Sequence, residues 1–352
     1  MTNEKTMSQN ISKNDISTTP PLASMRAGFG EGLLEAAEHD KNVVALCADL
    51  TESTGLQPFK EKYPERFIEI GVAEQNLVTV ASGMAAMGKI PFAASYAVFS
   101  PGRNWEQVRT TICYNNVPVK IIGSHYGLNV GADGGSHQAL EDIALMRTLP
   151  RMVVISPCDA IEAKKAAIAV AKTNDPTYIR LAREKSVVLT TEETPFEIGK
   201  AFVIYKSAGS DVRGKRIEVR SKKVQETRNS VGIIATGSIL SEAILAAKKL
   251  EEDGMNVTVM NLSTIKPLDE QAIIRLAHET RALVTVEEHQ IFGGMGSAVA
   301  ECLAQHFPTP IEFVAVNDKF GQSGTAAELL ELYGLKSKDI VLAAKRAVLR
   351  KE

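Results

Sequence analysis

Apolar residues fall along this chain in two alternating textures. Short runs rich in Val and Ile, apolar at nearly every position, occupy residues 42–46 (NVVAL), 117–122, 152–155 and 177–181. Between them lie Ala-rich stretches with apolar residues at helical spacing, among them 32–39 (GLLEAAEH) and 160–172. A strand without a polar face must be covered on both sides, and intervening helices can cover it. The alternation therefore predicts a parallel sheet in an α/β domain. The same texture resumes later, with strands over 231–235, 257–260 and 282–286 and helices over 241–252, 269–280 and 297–306. It predicts a second α/β unit with right-handed crossovers. The most apolar stretch, 77–99, is broken by Gly83, Gly88, Lys89 and Pro91. A membrane-spanning helix needs about 20 unbroken apolar residues, so this stretch is expected to be buried core, with no membrane partner.

A length of 352 residues fits two domains. Residues 1–23 are polar and aperiodic up to Pro20-Pro21, which predicts a disordered tail. Residues 24–200 make the first expected domain and 231–352 the second. Between them, 201–230 is expected to be a charged linker. Its stretch 206–229 has two glycines and only isolated apolar positions, and a solvent-facing hairpin carrying Ile217 and Val219 is an equal reading. Lys and Arg total 40 against 42 Asp and Glu, with a pI near 6.4. That balance exerts no long-range pull on polyanions and argues against nucleic acid as a main partner. Cys47, Cys113, Cys158 and Cys302 are scattered without a C-x-x-C pair, which argues against a disulfide framework or structural zinc. The polar N-terminus has no apolar core of a signal peptide, so a cytoplasmic location is expected.

Three segments stand out chemically. In 69–76 (EIGVAEQN), Glu74 follows a small apolar stretch and precedes an Ala- and Gly-rich one. Its carboxylate is expected to be poorly solvated and able to hold or share a proton at neutral pH. A glutamate in the first turn of a helix, favoured by the dipole, is the simpler reading of that segment alone. In 124–138 (SHYGLNVGADGGSHQ), Gly127, Gly131, Gly134 and Gly135, with Gly123 just before, surround His125, Asp133 and His137. Glycine lets the backbone approach a ligand, and polar side chains just after a strand lie where α/β sheets bind ligands. Two His and an Asp suit hydrogen bonds to a polyol or proton transfer near pH 7. Zinc is the rival, weakened by the unfamiliar H-x7-D-x3-H spacing, and structural turn residues are the plain alternative. In 176–184 (PTYIRLARE), Arg180 and Arg183 close a strand, where a guanidinium can be aimed at a phosphate. A solvated surface arginine is the commoner outcome.

Taken together, these segments resemble the C-terminal half of transketolase, specifically the second of the two polypeptides of a split transketolase. The resemblance runs from about residue 24 to the C-terminus, apart from the charged linker. It rests on ADLTES (48–53), IGVAEQN, SYAVFSPGRNWEQVR (95–109), H-x7-D-G-G-S-H-Q and PTYIRLAR, in the family's order. ATGS (235–238), IKPLD (265–269) and EEHQIFGGMGSA (287–298) extend it into the second unit. The implied fold is a pyrimidine-binding domain for thiamine diphosphate, built on a parallel sheet, followed by a smaller α/β transketolase C-terminal domain. The implied activity is transfer of a two-carbon ketol unit from a ketose phosphate to an aldose phosphate. By resemblance, Glu74 and His137 are catalytic. Glu74 meets N1′ of the aminopyrimidine, Phe99 stacks on that ring with Tyr96 beside it, and Asp49 lies near the cofactor. Asp133 and His137 contact sugar hydroxyls and the reacting carbonyl; Arg26, Ser53, His125 and Arg183 hold the substrate phosphate. A glutamate suits its place because a proton given to N1′ lets the neighbouring amine take one from the thiazolium carbon, the cofactor acting as electron sink.

Two departures matter. SPGRNW follows Phe99 where single-chain enzymes carry a further tyrosine, which leaves the alignment of Arg103 open. The family's metal and diphosphate motif, GDG followed at a distance by Asn, is absent, and ADGG at Ala132 lacks the Asn. The resemblance therefore implies no metal ligand on this chain. Mg²⁺ or Ca²⁺ and the diphosphate would be held by an N-terminal partner subunit, in an A2B2 heterotetramer. The rival enzymes are a 1-deoxyxylulose-5-phosphate synthase or an oxoacid dehydrogenase β subunit, against which His125 speaks. A non-enzymatic assembly subunit is the remaining alternative, which has no need of Glu74, Phe99, Asp133, His137 and Arg183. The glycines of EEHQIFGGMGSA are expected to allow tight strand-to-helix packing rather than to bind a nucleotide.

Overall fold

A computed structural model of the chain describes residues 20–207 and 229–351. The expected tail, except its last four residues, and nearly all of the charged stretch 206–229 lie outside the described residues. The first unit contributes β1 (Leu22–Ala23), β2 (Val43–Cys47), β3 (Phe67–Glu69), β4 (Ile90–Tyr96), β5 (Lys120–Ser124), β6 (Val153–Ile155), β7 (Thr177–Leu181) and β8 (Ser186–Val187). Of these, β6-β7-β5-β4-β2-β3 run parallel in that spatial order. The second unit contributes β9 (Phe202–Lys206), β10 (Ser230–Ala235), β11 (Asn256–Asn261), β12 (Thr264–Lys266), β13 (Leu283–Gln290) and β14 (Ile311–Val316). Its sheet has the order β14-β13-β10-β11-β9, parallel except for the antiparallel edge strand β9.

The α/β class predicted from the apolar runs is the one found. Every residue of β2, β5 and β7 is buried, as strands covered by helices on both faces must be. The stretch 77–99 divides into the helix Glu74–Ala86 and β4. Helix Met25–His39 packs against helix Ala160–Ala171 at unusually close range. A Cβ on Gly28 would fall 2.0 Å from the Ala160 carbonyl oxygen, and one on Gly32, a turn later, 2.4 Å from that of Lys164. Asp159 caps the second of these helices by accepting from the Glu162 N–H at 2.9 Å.

Two segments depart from the expected bounds. Leu22–Ala23, counted with the tail, pairs antiparallel with Ser186–Val187. Phe202–Lys206, counted with the linker, is β9; of its five residues only Ile204 is buried, so an edge strand passed for linker. The third departure joins the two units. Strand β12 leaves the second unit and pairs antiparallel with β6, Thr264 against Ile155 and Lys266 against Val154. Lys266 Nζ donates to the carbonyls of Arg147 at 3.0 Å and Leu149 at 2.5 Å. One apolar core runs through Met152 and Val154 into Ile265, Ile273 and Leu276. A shared sheet edge and a shared core thus press the second unit against the loops of the first. Among the described residues no helix is long and apolar enough to cross a membrane. All four cysteines are buried and free.

Candidate active site

All the sequence-predicted residues but Arg26 gather at the carboxyl edge of the first sheet, where open α/β sheets bind ligands. Asp49 and Ser53 follow β2, Glu74 follows β3, Tyr96 ends β4 with Phe99 just beyond, His125, Asp133 and His137 follow β5, and Arg183 follows β7. Arg26 enters from the first turn of helix Met25–His39.

One end of the site is built round Glu74. It opens the helix Glu74–Ala86 and is only 2% exposed, so it is at once a first-turn glutamate and a buried one. Asn104 Nδ2 donates to its main-chain carbonyl at 2.9 Å, pinning the helix start. Arg103, left unaligned by the sequence, donates from Nη1 to Glu74 Oε2 at 2.6 Å. The same guanidinium lies 4.7 Å from the centroid of the Phe99 ring. The Arg103 N–H closes a turn on the Phe99 carbonyl at 2.9 Å, with a cis Ser100–Pro101 peptide inside the turn. A turn of this kind carries no period in the sequence, so nothing there could have placed the residue. A planar N–H-bearing group of the chain itself therefore lies on Phe99 and bonds Glu74 at once. The pair fits the face and edge of an aminopyrimidine, and Arg103, with its side chain 49% exposed, has room to swing away.

An aromatic cluster links this end to the next. Tyr96 stacks on His125 with centroids 3.9 Å apart and lies 6.2 Å from Phe99, while His137 meets Phe99 edge-on at 5.4 Å. At the far end Arg26 donates to the Ser53 carbonyl at 2.7 Å and to the Arg183 carbonyl at 2.8 Å. The Arg183 guanidinium donates to the Val130 carbonyl and stands 3.9 Å from the Asp133 carboxylate. His125 has φ 58°, in the left-handed region, and its Nδ1 is 2.7 Å from Ser124 Oγ. Burial, then the positive charges of Arg26 and Arg183, push its pKa down to about 3. The imidazole is neutral at physiological pH, and the positive charge here comes from the two guanidiniums. Burial also lowers the pKa of Arg26.

Some predicted residues stand apart. Asp49 donates its N–H to Glu69 Oε1 at 2.7 Å, and its described bonds join it to that loop rather than to the aromatic cluster. Ser53 takes part through its carbonyl. Arg180 is fully buried and forks onto Asp142 at 2.9 and 3.0 Å, so of the two arginines in PTYIRLARE only Arg183 reaches the site. Among the described residues no three His, Cys, Asp or Glu side chains are grouped to hold a metal ion.

What sequence reasoning missed comes from the second unit. Gln138 Nε2 donates to the Gln322 carbonyl at 3.0 Å, and the Asn129 N–H to Glu288 Oε1 at 2.5 Å. A Cβ on Gly135 would fall 2.6 Å from the Gly321 carbonyl oxygen, so the glycine loop lies flat against the second unit. In EEHQIFGGMGSA, Glu287 accepts from the N–H groups of Met295 at 2.7 Å and Gly296 at 2.8 Å, capping helix Met295–His306. A Cβ on Gly294 would be 2.3 Å from Glu287 Oε2, which is the tight strand-to-helix packing expected.

Comparison with known proteins gives the family of both units. Residues 22–187 match the transketolase pyrimidine binding domain, and residues 220–340 match the transketolase C-terminal domain. The 6-deoxy-6-sulfo-D-fructose transketolase subunit SqwH of Clostridium sp. is 38% identical over 93% of this chain and 95% of its own. A subunit of the apulose-4-phosphate transketolase of Phocaeicola vulgatus is 34% identical over 92% of this chain and 97% of its own. A solved structure described as a split gene transketolase, inactive beta4 tetramer, superposes with a TM-score of 0.82 at 39% identity, over 94% of this chain and 99% of that one. With both family domains in order, and with subunits of split enzymes matched almost end to end, the chain belongs to the transketolase family, in which it corresponds to the C-terminal half as a subunit of the split kind.

Proposed function

We propose that this chain is the C-terminal subunit of a thiamine-diphosphate-dependent transketolase and transfers a two-carbon ketol unit from a ketose phosphate to an aldose phosphate, in complex with a separate N-terminal subunit. The observation that carries the reading is the pairing of a buried carboxylate with an aromatic face, Glu74 with Phe99, already bridged by a planar guanidinium. Thiamine diphosphate, when bound, supplies the carbon nucleophile and electron sink for the transfer.

In this reading Glu74 Oε2 exchanges its bond to Arg103 for one to N1′ and holds or gives a proton there, with burial keeping water from competing. Phe99 offers the stacking face, Tyr96 backs it, and Asp49 lies near the cofactor. His137, edge-on to Phe99, acts with Asp133 on the sugar hydroxyls and the reacting carbonyl. Arg26 and Arg183 bring two positive charges to the substrate phosphate, neutral His125 adds hydrogen bonding without charge, and Ser53 completes the rim. The absence of the GDG-and-Asn motif supports a partner that holds Mg²⁺ or Ca²⁺ and the diphosphate. The neighbour described as an inactive beta4 tetramer, and relatives named as subunits, support dependence on that partner, with A2B2 as the assembly.

The test is to mix the chain with its N-terminal subunit and assay ketol transfer with and without thiamine diphosphate. Activity is expected only in the mixture and only with the cofactor. Turnover by this chain alone, or micromolar Mg²⁺-dependent binding of thiamine diphosphate to it, would overturn the split-enzyme reading.

A further inference from the structure

One buried carboxylate of the second unit holds the glycine loop of the first. Glu288, in β13, is 2% exposed. Its Oε1 accepts the Asn129 N–H at 2.5 Å. Gly127, at φ 69°, brings the loop so near that a Cβ there would fall 2.5 Å from the same oxygen. The strand end that presents the carboxylate is itself fixed, since Arg180, ion-paired with Asp142, donates to the Glu288 carbonyl at 3.2 Å.

The turn seated on Glu288 is the one from which Arg183 hangs. Asn129 Oδ1 accepts the Arg183 N–H at 2.9 Å and the Glu184 N–H at 3.4 Å. The next carbonyl along, that of Val130, accepts the Arg183 guanidinium. Residues 129 and 130 thus fix both the main chain and the side chain of Arg183, shortly before the loop reaches Asp133.

We propose that Glu288 is a positioning residue for substrate: from the second unit, without touching the sugar, it sets the Asn129–Val130 turn and through it the guanidinium of Arg183. The inference rests on the reading of Arg183 as a phosphate ligand. It gives the C-terminal domain a part in substrate binding in addition to assembly.

The experiment uses the full chain assembled with its N-terminal subunit. Glu288→Leu removes the acceptor, whereas Glu288→Gln keeps a carbonyl oxygen for the Asn129 N–H. Glu288→Leu is expected to raise KM for a phosphorylated sugar by about tenfold or more, the scale of a side chain displaced by a fraction of an ångström to an ångström. Turnover of hydroxypyruvate with an unphosphorylated aldehyde, and affinity for thiamine diphosphate, should stay near wild type. Glu288→Gln should restore most of the KM. Equal losses with both substrate pairs, or a Gln variant as impaired as the Leu variant, would overturn the proposal. If Glu288→Leu fails to fold by thermal melting, Asn129→Ala decides. It deletes the carboxamide that accepts from Arg183 while leaving the N–H on Glu288, and an unchanged KM would sink the idea. A wild-type mixture without ketol transfer would instead refute the proposed function, and that control is read first.

Discussion

Two buried glutamates, one in each unit, differ in the partners they keep. Glu74 faces a guanidinium on a half-exposed side chain, whereas Glu288 faces main-chain N–H groups. The guanidinium end of the first pair is half-exposed and free to turn to water, so its bond can be traded for one to a ligand. A main-chain partner is released only by moving the loop that carries it. The first carboxylate can change partners more readily than the second. The arginines of PTYIRLARE repeat the contrast: Arg180 is fully buried on Asp142, and Arg183 sits at a rim where a phosphate can reach it.

The strongest way to break the comparison is to remove exchange at Glu74. Glu74→Gln keeps the size but cannot pass a proton, so kcat of the assembled enzyme is expected to fall about 10²- to 10⁴-fold. Gel filtration should show assembly unchanged. A near-normal kcat would assign the proton to another group.

Next in size is a pH effect on the holding side. Burial pushes the Glu288 carboxyl up from 4.5 to about 7, against the N–H groups of Asn129 and Leu128 and the charge of Arg180, with Asp142 adding to the rise. The folded state therefore keeps a proton that the unfolded state loses. The stability linked to it is fully present below about pH 4.5 and is lost as pH rises to about 7, roughly 3 kcal/mol at most. Urea unfolding across that window should show the wild type losing stability relative to Glu288→Gln. Parallel profiles would mean that the carboxyl is not held protonated.

A smaller effect follows at the rim. Charge-assisted hydrogen bonds to phosphate are worth about 1.5–3 kcal/mol, so Arg183→Ala should raise KM for phosphorylated sugars roughly 10- to 100-fold with a lesser change in kcat. Steady-state kinetics with hydroxypyruvate should change much less. Equal damage to both would make Arg183 structural. The smallest effect sharpens the exchange idea. Arg103→Met removes the group that competes for Glu74 and Phe99, and a pair with one half-exposed partner, worth up to about 1 kcal/mol, corresponds to up to about fivefold tighter binding of thiamine diphosphate by the assembled enzyme. Calorimetry reads it, and weaker binding would show that Arg103 contacts the cofactor instead.

Much of this contrast lay within reach of the sequence, and its limits have physical causes. The strands over 177–181 and 231–235 and the helices over 160–172 and 269–280 were legible because each run displays its own buried faces. Glu74 was legible as a poorly solvated carboxylate at a helix start, but the guanidinium and the ring that cover it were not, since a helix-start glutamate looks the same whichever distant groups pack on it. Arg103 was not legible, because the non-helical turn that returns it to Phe99 exists only with the backbone in place. Strand β9 was missed although FVIYK is apolar at four of its five positions, because it runs straight into the charged stretch and was counted with it; as an edge strand it buries only Ile204.

The sequence by itself determined the α/β class, the succession of two such units and the set of strand ends that carry polar residues, because hydrophobic periodicity is local and each segment bears it unaided. Only the tertiary structure decided that β12 completes the edge of the first sheet, that Arg180 turns inward while Arg183 reaches the rim, and that Glu288 seats a loop 159 residues away. Those outcomes depend on which strand ends the topology brings face to face, and on which donor then lies within about 3 Å of which acceptor. A choice of hydrogen-bond partner leaves no period in the chain, so it emerges only when the distant segments have packed.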